Sequence, residues 1–188
     1  TGNNTLTISS LTYANDNTFS FNGSSNYIIF PENSALNTQT FSIEVWVKTN
    51  ATTQNGFWFE KGNVNTQYAL FQEGGYIKCR VNTGTYVDTI SPVTASFMNT
   101  TNWYNVVFTF TSGSQVCYIN GAVVGTGTTT GTLSTNANGA SIGVYGGYNG
   151  VRGYYYNGNI AVVKVYNKVL SSQEVKQNFN ALRGRYGI

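Results

Sequence analysis

The chain has 188 residues, of which 40% are hydrophobic and 15% aromatic but only 9% charged, with a formal net charge of +3 and no histidine. No apolar run approaches the roughly 20 residues of a membrane span, aromatic and β-branched residues are too frequent for a disordered chain, and Lys and Arg are too sparse and scattered for a nucleic-acid surface. The missing histidine removes His-dependent triads, His-ligated metals and the usual general base together.

Thr1 opens the chain with no charged-then-apolar leader behind it, which reads as a processed product or part of a longer protein. Length and the absence of a repeat or linker point to one domain over 1–188. Almost all periodicity downstream is of period two, the mark of strands. Short strands are predicted at Phe19-Phe21 and Tyr27-Phe30. Phe41 to Lys48 alternates over eight residues, and Gly56-Glu60, Tyr68-Gln72, Tyr76-Asn82 and Tyr86-Ile90 follow. Asn105 to Thr111 reads as a buried strand. Gln115 to Ile119 then runs into Asn120-Gly121, a two-residue hairpin signal because both positions tolerate positive φ, with Val123-Val124 on the return. Ala140-Val144 and Asn159-Tyr166 complete the set. Strands at such spacing, separated by Gly, Asn, Ser and Thr, indicate an all-β antiparallel sandwich. One helix is expected: Ser171-Ser172-Gln173-Glu174 is a capping box, Val175, Phe179 and Leu182 share a face, and Arg183-Gly184 close it.

Cys79 and Cys117 fall with the apolar set of their strands and are expected as buried free thiols, a bridge remaining open if the strands are neighbours. The sequons at Asn3, Asn22, Asn50 and Asn99 are about as frequent as chance gives and carry no message about secretion.

Several segments resemble a known family. They are Phe21-Asn22-Gly23-Ser24-Ser25-Asn26-Tyr27-Ile28, then Phe41 to Lys48, Asn102-Trp103-Tyr104-Asn105-Val106-Val107-Phe108-Thr109, Tyr118-Ile119-Asn120-Gly121, and Tyr156-Asn157-Gly158-Asn159-Ile160 leading to Val165 through Ser171. In order and spacing they resemble the laminin-G-like branch of the concanavalin A-like lectin/glucanase superfamily, over about residues 19–182. The resemblance implies a jelly roll of two antiparallel sheets, with Trp46, Trp103 and Tyr156 as core aromatics, and glycan or protein binding through rim loops. The closing segment from Asn178 to Gly187 resembles the tails of such domains in phage and virion surface proteins.

The same resemblance implies a calcium ion at the rim in many members, and two positions depart from that pattern. Asn22 stands where Asp is common, and Ala161 stands where a second Asp is common. Calcium affinity follows carboxylate count, so no cofactor is expected, calcium included, and Asn22 reads as a turn residue. The glucanase branch carries a Glu-x-Asp-x-Glu strand. Here Asp16, Glu32, Glu44, Glu60, Glu73, Asp88 and Glu174 include no two carboxylates two residues apart, and Glu44, expected on an exposed strand face, stands alone. A catalytic role is therefore not expected.

The stretch from Gly143 to Tyr156 interleaves glycine and tyrosine. Glycine opens unusual backbone conformations, and tyrosine offers flat area plus a hydroxyl at low entropy cost. Tyr148, Asn149, Arg152 and Tyr154 are the candidate ligand-binding residues there, with Trp58 as a second candidate because alternation sets it opposite its neighbours. The expected partner is a surface glycan or host receptor, in an extracellular or virion-surface setting, with neither nucleic acid nor membrane insertion. Packing of the same aromatics against other subunits, as a homo-oligomer or coat protein, is the alternative, and a glycan-cleaving enzyme is the remote one.

Overall fold

A computed structural model describes residues 6–14, 17–62, 66–88, 93–94, 98–146 and 152–188. Tyr148 and Asn149 lie outside these residues. In chain order the strands are β1 (Thr7–Ser9), β2 (Thr12–Ala14), β3 (Thr18–Asn22), β4 (Tyr27–Phe30) and β5 (Phe41–Thr49). They continue as β6 (Gly56–Lys61), β7 (Tyr68–Glu73), β8 (Tyr76–Asn82), β9 (Tyr86–Asp88) and β10 (Val93–Thr94). The last five are β11 (Tyr104–Thr111), β12 (Ser114–Ile119), β13 (Ala122–Gly127), β14 (Ala140–Ile142) and β15 (Asn157–Tyr166), followed by helix α1 (Ser172–Arg183). No helix among the described residues is long and apolar enough to cross a membrane.

The strands form two antiparallel sheets of a jelly-roll sandwich. The first has the order β1-β4-β14-β6-β7-β8-β10, with β9 also paired to β8, and the second has the order β13-β12-β11-β5-β15-β3-β2. Between them lies the main core. Phe41 stacks on Tyr68 at 4.1 Å and on Phe110 at 5.4 Å, and Ile43, Val45, Leu70, Val81, Val106 and Phe108 fill the layers around it. Each such side chain contributes about 1.5–3 kcal/mol on burial. Cys79 and Cys117 are both buried in this core and are not joined in a disulfide, as expected.

Local signals are met closely. Asn120 and Gly121 take φ of 51° and 77°, the paired positive values a two-residue turn between right-twisted strands needs. The Ser171 side chain accepts from the Glu174 amide and Glu174 reaches back to the Ser171 amide, completing the capping box. The helix end differs from expectation. Gly184 stays right-handed and a short 3-10 turn follows, so the left-handed closing residue is Gly187 at φ 71°.

Helix α1 does not sit at the rim but lies flat on the outer face of the second sheet. Val175 packs on Val107, Tyr118 and Leu170, while Trp46 stacks on Phe179 at 5.9 Å and meets the tilted Tyr186 ring at 4.5 Å. This corrects the reading of Glu44. It does face outward from its sheet, but the helix roofs it to 0% exposure. There it accepts from Tyr166 Oη (3.0 Å), Asn178 Nδ2 (3.0 Å) and Asn105 Nδ2 (3.3 Å), with Lys164 Nζ at 3.6 Å. A carboxylate so enclosed holds the helix to the sheet and meets no substrate. Glu44→Gln, which reverses one of these contacts, is expected to lower the unfolding free energy by about 1–3 kcal/mol in urea titrations.

Candidate functional site

The outer face of the first sheet is different, because no described helix covers it. Strand pairing lays out its rows. Ser141, Glu60, Ala69, Arg80 and Asp88 face one another across five strands, and Phe57, Phe71 and Lys78 form the next row. The Phe57 and Phe71 rings are parallel at 4.2 Å, and the Arg80 guanidinium caps Phe71 at 4.7 Å from its centroid.

The register that places Phe57 here also removes Trp58. Phe57 pairs with Phe71 and Phe59 with Leu70, so Trp58 is an extra residue in a β-bulge. The bulge breaks the alternation, and Trp58 and Phe59 both enter the inter-sheet core. Trp58 is 0% exposed and meets the buried Tyr156 ring edge-on at 6.3 Å. It is a core residue, unavailable to an external ligand, and the aromatic at the surface layer is its neighbour Phe57.

Above the Phe57–Phe71 pair stands the stem of the Gly/Tyr hairpin. Tyr145 and Gly153 exchange backbone hydrogen bonds at 3.0 and 3.1 Å, and Tyr156 N donates to Gly143 O at 2.9 Å. One leg places Tyr145 at 5.1 Å from Phe57, and the other places Tyr154 at 5.9 Å from Tyr145 and 6.2 Å from Phe57. Phe57 N donates to Tyr154 O at 3.2 Å, tying the hairpin to the edge of the row. Tyr154 is 49% exposed and held at φ +48°, a left-handed conformation a non-glycine residue adopts at a cost. Four aromatic rings thus step from the buried Phe71 up to the open Tyr154. Arg152 is exposed, but its guanidinium lies over the Tyr27 ring at 4.3 Å, so it borders the platform from the β4 side.

The far border is ionic. Arg80 Nε donates to Asp88 Oδ1 at 2.8 Å and a second guanidinium nitrogen to Oδ2 at 3.3 Å, while Lys78 joins Asp88 to Glu73. Burial works to raise the Asp88 pKa, but the Arg80 and Lys78 bonds outweigh it and hold the carboxyl below its usual value. Tyr86 and Tyr76 stand exposed beside this border.

The Asn22 amide oxygen already accepts from the Ser24, Ser25 and Asn26 amides, the turn role expected of it, and Ala161 packs beside the Trp46 cluster. Among the described residues no three His, Cys, Asp or Glu side chains gather to hold a metal. Glu60 and Asp88 share a row but are three strand spacings apart, about 14 Å, beyond either glycosidase separation.

The signals missed in the sequence are Phe57, hidden by the bulge, and Tyr145, which follows the end of a strand. Of the expected residues, Arg152 and Tyr154 flank the platform, Trp58 does not belong to it, and Tyr148 and Asn149 are not among the described positions.

Comparison with known proteins agrees with the architecture. A family model, Laminin_G_3, described as the Concanavalin A-like lectin/glucanases superfamily, matches residues 22–176. A search of curated proteins finds no match. Among solved structures, botulinum neurotoxin type C, in work on its interaction with two ganglioside molecules, superimposes with a TM-score of 0.73 at 16% identity, over 96% of this chain and 47% of that one. The binding domain of botulinum neurotoxin DC in complex with SialylT gives 0.71 at 16% over 95% and 46%. The same binding domain in complex with rat synaptotagmin II gives 0.72 at 17% over 96% and 47%. The chain spans about half the length of these proteins, and at such identity they share its fold.

Proposed function

The chain belongs to the laminin-G-like branch of the concanavalin A-like lectin/glucanase superfamily, and from that premise we propose that it is a non-catalytic module binding a glycan on the open outer face of its first sheet. The observation that carries this reading is Tyr154, a half-exposed aromatic fixed in a costly backbone conformation above a stepped platform of Tyr145, Phe57 and Phe71. A rigid exposed ring offers apolar area to the C–H face of a pyranose at little entropic cost. Arg152 on one side and the Asp88–Arg80–Lys78 row on the other supply donors and acceptors for hydroxyls. Ganglioside, SialylT and synaptotagmin belong to the neurotoxin structures and support a glycan or receptor partner by analogy of fold.

The enclosure of Glu44, and the commitment of Glu73 and Asp88 to the Lys78 ammonium they share, support binding without cleavage. An extracellular or virion-surface setting fits a surface hydrated mainly by neutral Asn and Thr groups.

A glycan array spanning neutral and sialylated oligosaccharides, followed by calorimetry, tests the reading. Tyr154→Ala is expected to weaken binding by about 2 kcal/mol, roughly thirtyfold, and Arg152→Ala by less. An empty array, or affinities that both variants leave intact, overturns it. Concentration-dependent self-association abolished by Tyr154→Ala, with no glycan bound, would assign the platform to subunit contacts instead.

A further inference from the structure

Glu60 lies on the outer face of β6, in the row beside that of Phe57 and Phe71, yet it is 0% exposed. Donors converge on both of its oxygens: Thr66 Oγ1 reaches Oε1 at 2.5 Å, and the Gly146 amide reaches Oε2 at 2.7 Å. Gly146 directly follows Tyr145, and the Tyr145–Gly153 bridge passes that position on to Tyr154. One buried carboxylate therefore fastens the hairpin at the residue that sets the Tyr145 ring. We infer that Glu60 is a positioning residue for the Tyr145–Tyr154 platform, its carboxylate holding the Gly146 amide, so that ligand binding weakens when that carboxylate is neutralised. The ligand half of this inference rests on the glycan reading.

Among the described residues this charge has no close counter-ion. From β14 and β7 it faces the neutral Ser141 and Ala69, and from the turn before β7 the Thr66 hydroxyl. From β8 comes Arg80, two strands away and engaged by Asp88 of β9, with Lys78 engaged by Glu73 and Asp88. From the hairpin comes Tyr145, whose hydroxyl burial and then the Glu60 and Tyr86 charges push up, so it is neutral at physiological pH. Lys61, next in the chain, faces the other way and donates to Asn136 and Asn138 oxygens.

Burial accordingly pushes the Glu60 carboxyl up from 4.5 to about 7, against the hydrogen bonds from Thr66, Gly146 and Ser141 and the Arg80 charge, which pull it down. Stability contributed by the neutral form is present below pH 4.5 and is lost as pH rises through about 7. Ionisation thus costs folding free energy while it strengthens the bond to Gly146. A protonated carboxyl gives up the charge assistance and turns one oxygen into a donor.

The test reads the hairpin and the ligand separately. In ¹⁵N-labelled protein the Gly146 amide shift is expected to inflect near pH 7 and to be flat in Glu60→Gln. Affinity for lactose- and sialyllactose-terminated glycans that score on the array is expected to be about tenfold weaker at pH 5.5 than at pH 8.5. Glu60→Gln is expected to remain folded, with affinity fixed near the low-pH wild-type value. A Gly146 amide that does not titrate, an affinity that rises as pH falls, or a Glu60→Gln variant with the wild-type pH profile overturns the inference. Absence of glycan binding at every pH overturns the ligand half together with the glycan reading, and a Gly146 inflection that persists in that case supports the hold of Glu60 on the hairpin.

Discussion

Trp58→Ala is expected to lower the unfolding free energy by about 3–5 kcal/mol and the melting midpoint by about 10 °C or more. The indole is enclosed between the sheets, its edge against Tyr156, whose own ring lies 6.2 Å from Phe21, so removing it empties a space its rigid neighbours cannot refill. Tyr154→Ala is expected to behave in the opposite way. Half its surface is already in water, so stability should change by about 0.5 kcal/mol or less while ligand affinity falls. Urea unfolding and calorimetry on both variants separate the roles. Were Trp58 the stacking residue and Tyr154 a packing one, the two patterns would be exchanged.

Gly143→Ala is expected to cost about 3–4 kcal/mol and to disturb the platform as well. Gly143 stands at φ +80°, where a Cβ adds roughly 1–2 kcal/mol. That Cβ would fall 2.2 Å from Phe21 Cε1 and 2.3 Å from Cδ1, forcing a buried ring out of its site for about 1–3 kcal/mol more. Its carbonyl also accepts from Tyr156 N, so the shift is transmitted to the root of the hairpin. Gly153→Ala is the control: a Cβ there meets nothing within 4 Å, and stability should stay within about 0.5 kcal/mol. Thermal denaturation of the pair checks the difference, and equal losses would show that the clash with Phe21 is relieved cheaply.

What could be read from the chain alone was whatever depends on neighbours in sequence. Alternation marked β5, β8 and β11, the Asn120-Gly121 pair marked its hairpin, and Ser171 to Glu174 marked the helix start. Strands β1, β2 and β10 have two or three residues each, too short for a period to register. At Trp58 the period was present but misleading, because one inserted residue reverses the face of everything before it. Glu44 was placed on the correct face and given the wrong surroundings, since its cover comes from Asn178, 134 residues on. The same distance effect hid Glu60, whose partner Gly146 is 86 residues away. The exposure of Tyr154 was legible in the run of glycine and tyrosine around it.

The ends of the two sheets bear on how such a molecule behaves when crowded. A protein with 9% charged residues has little electrostatic repulsion to keep copies apart, so unpaired strand edges become templates for its neighbours. Among the described residues β1 and β2 present three residues each at their edges, and β9 and β10 present three and two at the opposite margin of the first sheet. The remaining edge, β13, has six residues, but it contains Gly125 and Gly127 and is bulged at Val124, where the register shifts opposite Cys117 and Tyr118. Short edges and a bulged rim, rather than charge, are what this sandwich offers against pairing edge to edge.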